Sequence, residues 1–177
     1  MEVQCLLVDW DRMHAQWPEG AVEPEWNDEE SDWYASPSHG LDHNSASWNA
    51  EIGDLFWGMT DHLDEEEHTK LGNFLAAFAL TIREDDPEEE FEIPWEIDGR
   101  QLMYVSSALS PATVRSFLQR RNELSMETIL SAAEAALEDG GTDLESAEEL
   151  QVFIDQCTET LKEAESQGRG VLVLCRG

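Results

Sequence analysis

Hydrophobic residues follow two patterns along this chain: short continuous apolar runs at its two ends, and helix-spaced apolar positions between them. The runs Val3 to Val8 and Val171 to Cys175 are apolar on both faces, which is typical of central β-strands. We therefore predict that both ends of the chain supply central strands of one sheet and lie near each other.

A further strand signal lies around Asp98-Gly99, where two alternating segments flank an Asp-Gly pair. Asp-Gly between such segments is the strongest short-range signal of a β-hairpin. Pro94 makes the first segment an edge strand, because proline cannot donate to a ladder. The predicted sheet is small and mixed and is formed by residues 2–8, 92–97, 101–106 and 170–175.

Helical spacing and capping residues predict several helices that pack on this sheet. One or two turns are expected over residues 9–17, before Pro18. Four further helices have a Ser or Asp at the predicted N-cap, and a long helix runs from Leu144 to Gln167. The four N-caps are Ser47, Asp64, Ser110 and Ser125. The apolar face after Asp64 extends to Ile82, and Gly140 and Gly168 end later helices. The fold class is therefore α+β, as a single domain over residues 1–177.

Two acidic segments interrupt these elements. Residues 18–47 show no periodicity and read as a long acidic loop that bears Trp residues, and loops of that length are often functional. Residues 84–92 hold seven acids in nine positions and read as a solvated loop.

The net charge narrows the possible partners. Forty Asp and Glu residues face ten Lys and Arg, a formal net charge of −30, where a domain usually carries about 2–8 charges of either sign. Such a chain repels nucleic acid and anionic membranes and attracts basic proteins. We predict a basic protein partner, no direct nucleic-acid binding and no membrane association.

Catalytic and cofactor motifs are not found in the sequence. It contains no GxSxG, GxGxxG, P-loop or HExxH pattern. Two acid–histidine groups, one at His39 and His43 and one from Asp61 to His68, could hold a cation, but local capping and solvation explain them more simply. We predict no enzymatic activity, no cofactor and no metal.

The cysteines and the N-terminus bear on the compartment. Cys5, Cys157 and Cys175 are odd in number and widely spaced, which predicts reduced, buried thiols. The first residues lack a basic leader and a long apolar stretch, so we expect no secretory signal. The predicted location is the cytoplasm.

Three stretches resemble the YfbM-like family of small bacterial proteins of unknown function. They are the first apolar strand with Val8-Asp9, the helix opening Ala108-Leu-Ser-Pro-Ala-Thr-Val114, and the end of the chain. That end has Glu148-Glu-Leu, a long helix, Gly168 and Val171-Leu-Val-Leu174. The resemblance covers about half the chain. It implies a bacterial protein with an α+β fold, and it carries no catalytic residues to transfer.

Aromatic residues lie among the acids of both acidic segments. Aromatic anchors with a charged rim are typical of binding hot spots. The predicted partner-binding residues are Trp26, Glu29, Glu30, Trp33, Glu88, Glu89, Glu90 and Phe91. In the alternative interpretation, most Trp side chains fill the core and most acids are merely solvated.

The leading functional hypothesis is a non-enzymatic module that binds a basic protein, as immunity proteins and antitoxins do. Two alternatives stay open. Regularly spaced surface acids would favour a DNA mimic that inhibits a nucleic-acid-binding protein. Carboxylates that converge on a pocket would favour a metal-dependent hydrolase.

Overall fold

The computed structural model describes residues 2–16, 33–38, 41, 48–80, 91, 105–140 and 142–176. Within these ranges, helices pack on a four-stranded sheet, which confirms the α+β class. The elements in chain order are β1 (Glu2–Val8), α1 (Trp10–Gln16), β2 (Tyr34–Ala35), α2 (Trp48–Gly58), a 3-10 helix (Met59–Asp61), α3 (Glu65–Leu75), β3 (Val105–Leu109), α4 (Pro111–Glu123), α5 (Met126–Asp139), α6 (Ala147–Gln167) and β4 (Gly170–Arg176).

The two ends of the chain pair at the centre of the sheet, as predicted. The strand order is β2-β1-β4-β3, and β1 pairs with β4 from Glu2 opposite Arg176 to Val8 opposite Gly170. Each pairing among the described strands is antiparallel, whereas the sequence predicted a mixed sheet. The reason is the path of α4, α5 and α6. After β3, these helices bring the chain back to the same end of the sheet. β4 therefore begins beside the end of β3, where Leu109 pairs with Val171.

The outer strands differ from the sequence prediction. β3 spans Val105–Leu109 rather than residues 101–106, and the segments 92–97 and 101–104 lie outside the described residues. β2 is a strand of two residues that pairs with Leu7 and Val8. Its length offers no periodicity to recognise, and the backbone of β1 determines its position.

Both faces of the sheet are buried, which explains the continuous apolar runs at the chain ends. One face packs on helices α2 to α6 in the main core, through Val3, Cys5, Leu7, Leu109, Val171 and Val173. The other face forms a second core with Met13 and Trp33, through Leu6, Val8, Ala108, Leu172 and Leu174. Alternate residues of one strand therefore enter different cores.

Local capping determines where helices begin and end. The Asp64 carboxylate accepts a hydrogen bond from the backbone N–H of Glu67 at 2.9 Å, and Ser110 caps α4 in the same way. α6 ends at Gly168, whose φ of +64° favours glycine. α3 ends at Leu75 rather than at Ile82. Buried turns follow it, and the Ala77 carbonyl there accepts a hydrogen bond from the Ser107 hydroxyl of β3.

Candidate functional site

Four aromatic rings meet where α2 and α3 join, and we call them the aromatic cluster: Phe56, Trp57, His68 and Phe91. The imidazole of His68 stacks on the ring of Phe56 with centroids 4.2 Å apart and planes 19° apart. The Phe91 ring lies 5.6 Å from Phe56, 6.1 Å from Trp57 and 6.4 Å from His68. Phe56 is buried, whereas the other three residues are half-buried and reach the surface.

The sequence around the junction brings these rings together. Phe56 and Trp57 occupy the last turn of α2, and the 3-10 helix reverses the chain. Asp64 then begins α3, on which His68 lies. Gly72 follows His68 by one helical turn and leaves room for Phe91. A Cβ atom at Gly72 would meet the Phe91 ring and lie 2.9 Å from Cζ of Phe56.

The hydrogen bonds of His68 identify its neutral tautomer. Its Nε2 lies 3.3 Å from the Phe56 carbonyl oxygen and 3.4 Å from the hydroxyl oxygen of Thr60. The Thr60 hydroxyl donates its own hydrogen to the Trp57 carbonyl at 2.7 Å, so it acts as an acceptor toward His68. Both neighbours are thus acceptors, and we assign the proton to Nε2, which leaves Nδ1 as an acceptor.

Burial lowers the pKa of His68, and the hydrogen bond to the Phe56 carbonyl opposes this shift only in part. The imidazole is therefore neutral near pH 7. The aromatic cluster thus presents rings without a positive charge.

This lowered pKa predicts a pH-dependent stability. Unfolded His68 takes up its proton near pH 6.5, where the folded residue still resists it, so the unfolded state gains protons first as the pH falls. Between pH 7.5 and 5.5, we expect the free energy of unfolding of the wild type to fall relative to that of His68→Gln. Urea denaturation across this range measures the difference. If the free energies of unfolding of the wild type and His68→Gln differed by the same amount at every pH, the result would contradict the lowered pKa of His68.

Exposed carboxylates border the aromatic cluster. Asp54 precedes Trp57 by one turn of α2, and Asp61 follows it by about one turn. Asp64 and Glu65 precede His68 by one turn in the same way. All four acidic residues are exposed. Negative charge therefore lies within about one helical turn of Trp57 and of His68 along the chain.

Asp54 and Asp61 are part of a larger surface, which we call the acidic face: α2, the 3-10 helix, α5 and residues 142–146. α5 packs against α2 and the 3-10 helix. His62 Nε2 lies 2.9 Å from Asp139 Oδ2, and the Thr142 hydroxyl donates to the Glu51 carbonyl at 3.2 Å. No Lys or Arg occurs in any of these segments. Their exposed acids are Asp54, Asp61, Glu127, Glu134, Glu138, Asp139, Asp143 and Glu145.

An open groove of about 430 Å³ runs along α5. It is lined by His62, Glu127, Thr128, Ser131, Ala132 and Ala135. In the part of the chain that the structure describes, no three His, Cys, Asp or Glu side chains come together as metal ligands. His62 pairs with Asp139 and His68 with Phe56, so these two histidines have different partners. The other candidate pair, His39 and His43, lies outside the described residues.

Of the predicted partner-binding residues, the structure describes Trp33 and Phe91, and these two pack in different cores. Trp33 is only 2% exposed and packs in the second core, with its ring 5.0 Å from that of Tyr34. Its carbonyl accepts a hydrogen bond from the N–H of Asp9. Trp33 is therefore a core residue, as in the alternative interpretation, because the outer face of the sheet needs an apolar cover. Phe91 packs against the main core, so the sheet separates the two side chains.

The remaining predicted residues, Trp26, Glu29, Glu30, Glu88, Glu89 and Glu90, lie outside the described residues. Sequence reasoning missed Trp57 and His68 as members of a site with Phe91. The available signal was the spacing of Asp54, Trp57 and Asp61, which places acids one turn on either side of a large aromatic ring.

Among the helices of the described ranges, none is long and apolar enough to cross a membrane. No family model matches the chain, and neither curated proteins nor solved structures give a match. The resemblance to the YfbM-like family therefore stays a prediction.

Proposed function

We propose that this protein is a non-enzymatic binding module whose acidic face docks on a basic protein. The observation that carries the proposal is the continuity of exposed carboxylates across packed elements without Lys or Arg. Residues 126–146 alone contain six acids and no Lys or Arg. A surface with one sign of charge attracts a partner of the opposite sign and accelerates encounter.

The ion pairs of Lys and Arg in the described ranges lie outside the acidic face. Lys70 of α3 lies 2.7 Å from both Glu66 and Glu67, and these carboxylates raise its pKa. Lys162 pairs with Glu159 on α6 at 2.8 Å, and Arg121 of α4 reaches Asp155 at 3.5 Å. Among the described residues, no Lys or Arg pairs with the acids of the acidic face, and Asp139 lies beside His62. An external partner can neutralise the other acids.

Immunity proteins and antitoxins bind basic toxins through the same kind of charge complementarity. Cys5 and Cys157 are buried and form no disulfide, which suits a reducing compartment, so the proposal includes a cytoplasmic location. Burial raises the pKa of Cys157, which keeps this thiol protonated and unreactive.

The test compares two variants with the same change in net charge. The first changes the acidic face: Glu134→Gln, Glu138→Gln and Asp143→Asn. The matched control changes exposed acids elsewhere: Asp11→Asn, Glu123→Gln and Glu165→Gln. A basic partner is captured from lysate at low salt, eluted with a salt gradient, and measured by surface plasmon resonance. We expect the first variant to associate about tenfold more slowly at low salt, and the control to change far less.

If both variants slow association to the same extent, the interaction depends on net charge alone. That result would contradict a docking face. Duplex DNA offers a second comparison. If DNA competes with the protein for the captured partner, the function belongs to the alternative class, a DNA mimic.

A further inference from the structure

We propose that the groove along α5 receives an α-helix of the basic partner, with apolar residues of that helix in the groove and its Lys and Arg side chains over the neighbouring glutamates. This inference rests on the proposed function, because it names the structural element with which the partner docks on the acidic face. The groove has a volume of about 430 Å³ and is lined by α5 and by His62.

The first argument is the shape of the groove. Its lining residues on α5 extend from Glu127 to Ala135, which is about two helical turns or roughly 12 Å. The lining side chains between these two ends are no larger than threonine. His62 stands at the other wall and is held there by Asp139 at the end of α5, whose Oδ2 lies 2.9 Å from His62 Nε2. Small side chains let a second helix approach closely, and the side-chain ridges of one helix fit into such a groove on another.

The second argument is a row of carboxylates beside the groove. Glu127, Glu134 and Glu138 are spaced by seven and four positions, so they lie along one line of α5. All three are exposed, and within the described part of the chain none of them forms an ion pair or a side-chain hydrogen bond. At the other wall, Asp61 precedes His62 and is exposed as well. These charges are complementary to a helix whose apolar face is flanked by Lys and Arg.

The third argument separates a helix from an extended segment. An extended chain gains affinity from main-chain hydrogen bonds to a free sheet edge. The groove offers no such edge, because α5 is helical from Met126 to Asp139 and its backbone groups bond within the helix. A helix already satisfies its own backbone, so only its side chains have to fit. The partner helix is therefore expected to carry apolar residues at positions i, i+3, i+4 and i+7, with Lys or Arg beside them.

The experiment uses the full-length protein and two synthetic peptides of about five helical turns, made of the same numbers of Ala, Leu and Lys. In the amphipathic peptide, Ala and Leu form one face of the helix and Lys the other. In the shuffled peptide, the same residues are ordered so that no apolar face exists. Isothermal titration at about 50 mM and about 200 mM salt gives both affinities. We expect the wild type to bind the amphipathic peptide about threefold to tenfold more tightly than the shuffled one.

Filling the groove should remove this preference. Ser131→Gln with Ala135→Gln places two longer, uncharged side chains in the groove, and glutamine is a good helix former. The matched control, Thr69→Gln with Ala112→Gln, makes similar changes at exposed positions of α3 and α4. We expect the two peptides to bind the first variant about equally, and the control to keep the preference of the wild type.

Ser131→Gln alone provides a second test, because Ser131 is exposed. It takes the place of the double variant if that variant fails to fold by circular dichroism. A folded groove variant of either kind that keeps the full preference for the amphipathic peptide overturns the inference.

The outcomes for the wild type distinguish this inference from the proposed function. Equal, salt-sensitive binding of both peptides would overturn the helix-binding groove and leave a basic partner for the acidic face. Binding of neither peptide at the lower salt concentration would overturn both.

Discussion

Replacing Phe117 with Ala should lower the free energy of unfolding by about 3–5 kcal/mol, the usual cost of removing a buried phenylalanine. Phe117 is fully buried in α4, with its ring 6.4 Å from Phe74 and 6.3 Å from Phe78. The guanidinium of Arg120 packs on the same ring. α4 packs on α3, α6 and β4, so the cavity would weaken several contacts of the main core at once. Urea denaturation followed by circular dichroism measures the loss.

The matched control for Phe117 is Val152→Ala on α6. Val152 is a large hydrophobic residue with 43% of its surface exposed, so truncation removes little buried area. We expect a change within about 0.5 kcal/mol. Similar losses in the two variants would mean that Phe117 does not pack in the core.

Replacing Gly72 with Ala should destabilise the protein by about 1–3 kcal/mol, the typical cost of overpacking. Alanine in a helix is otherwise favoured over glycine by about 1 kcal/mol. Here the new methyl group would meet the Phe91 ring and crowd Phe56, so the aromatic cluster must open. Denaturation gives the change in stability, and near-ultraviolet circular dichroism reports the loss of ring packing.

Gly58→Ala is the control for this substitution. Gly58 also lies in a helix, with φ of −62°, and the nearest atom to its Cβ position is Cβ of Ala136 at 3.7 Å, an ordinary contact. We expect this variant to be stabilised by up to about 1 kcal/mol. If Gly72→Ala were stabilised to the same degree, Phe91 could not lie against α3.

The candidate site shows where prediction from sequence stops. Helical spacing predicts that Trp57 lies on the helix after Ser47 and His68 on the helix after Asp64. Spacing alone does not show which half-buried rings contact each other. Their contact with Phe91 depends on the turn at residues 59–64 and on the space over Gly72. Phe91 follows Gly72 by nineteen positions, beyond the reach of any local pattern.

Trp33 is a second residue whose position could not be predicted from the sequence. Its acidic surroundings in the sequence suggested a surface anchor, whereas the structure buries it against the outer face of the sheet. The identity of the strands that form this face was predictable, but the need for a large apolar cover at Trp33 arises only once β1 and β4 are paired.

The sequence by itself determined the features that depend on neighbours within a helical turn or a strand: the apolar end strands, the caps at Asp64 and Ser110, the helix end at Gly168, and the excess of negative charge. Tertiary structure alone decided the antiparallel order, the two-residue strand β2, the end of α3 at Leu75 and the meeting of the aromatic rings. The hydrophobic effect explains this division, because it favours the burial of apolar side chains without specifying which of them contact each other. Only the packing of the whole chain determines which distant side chains meet.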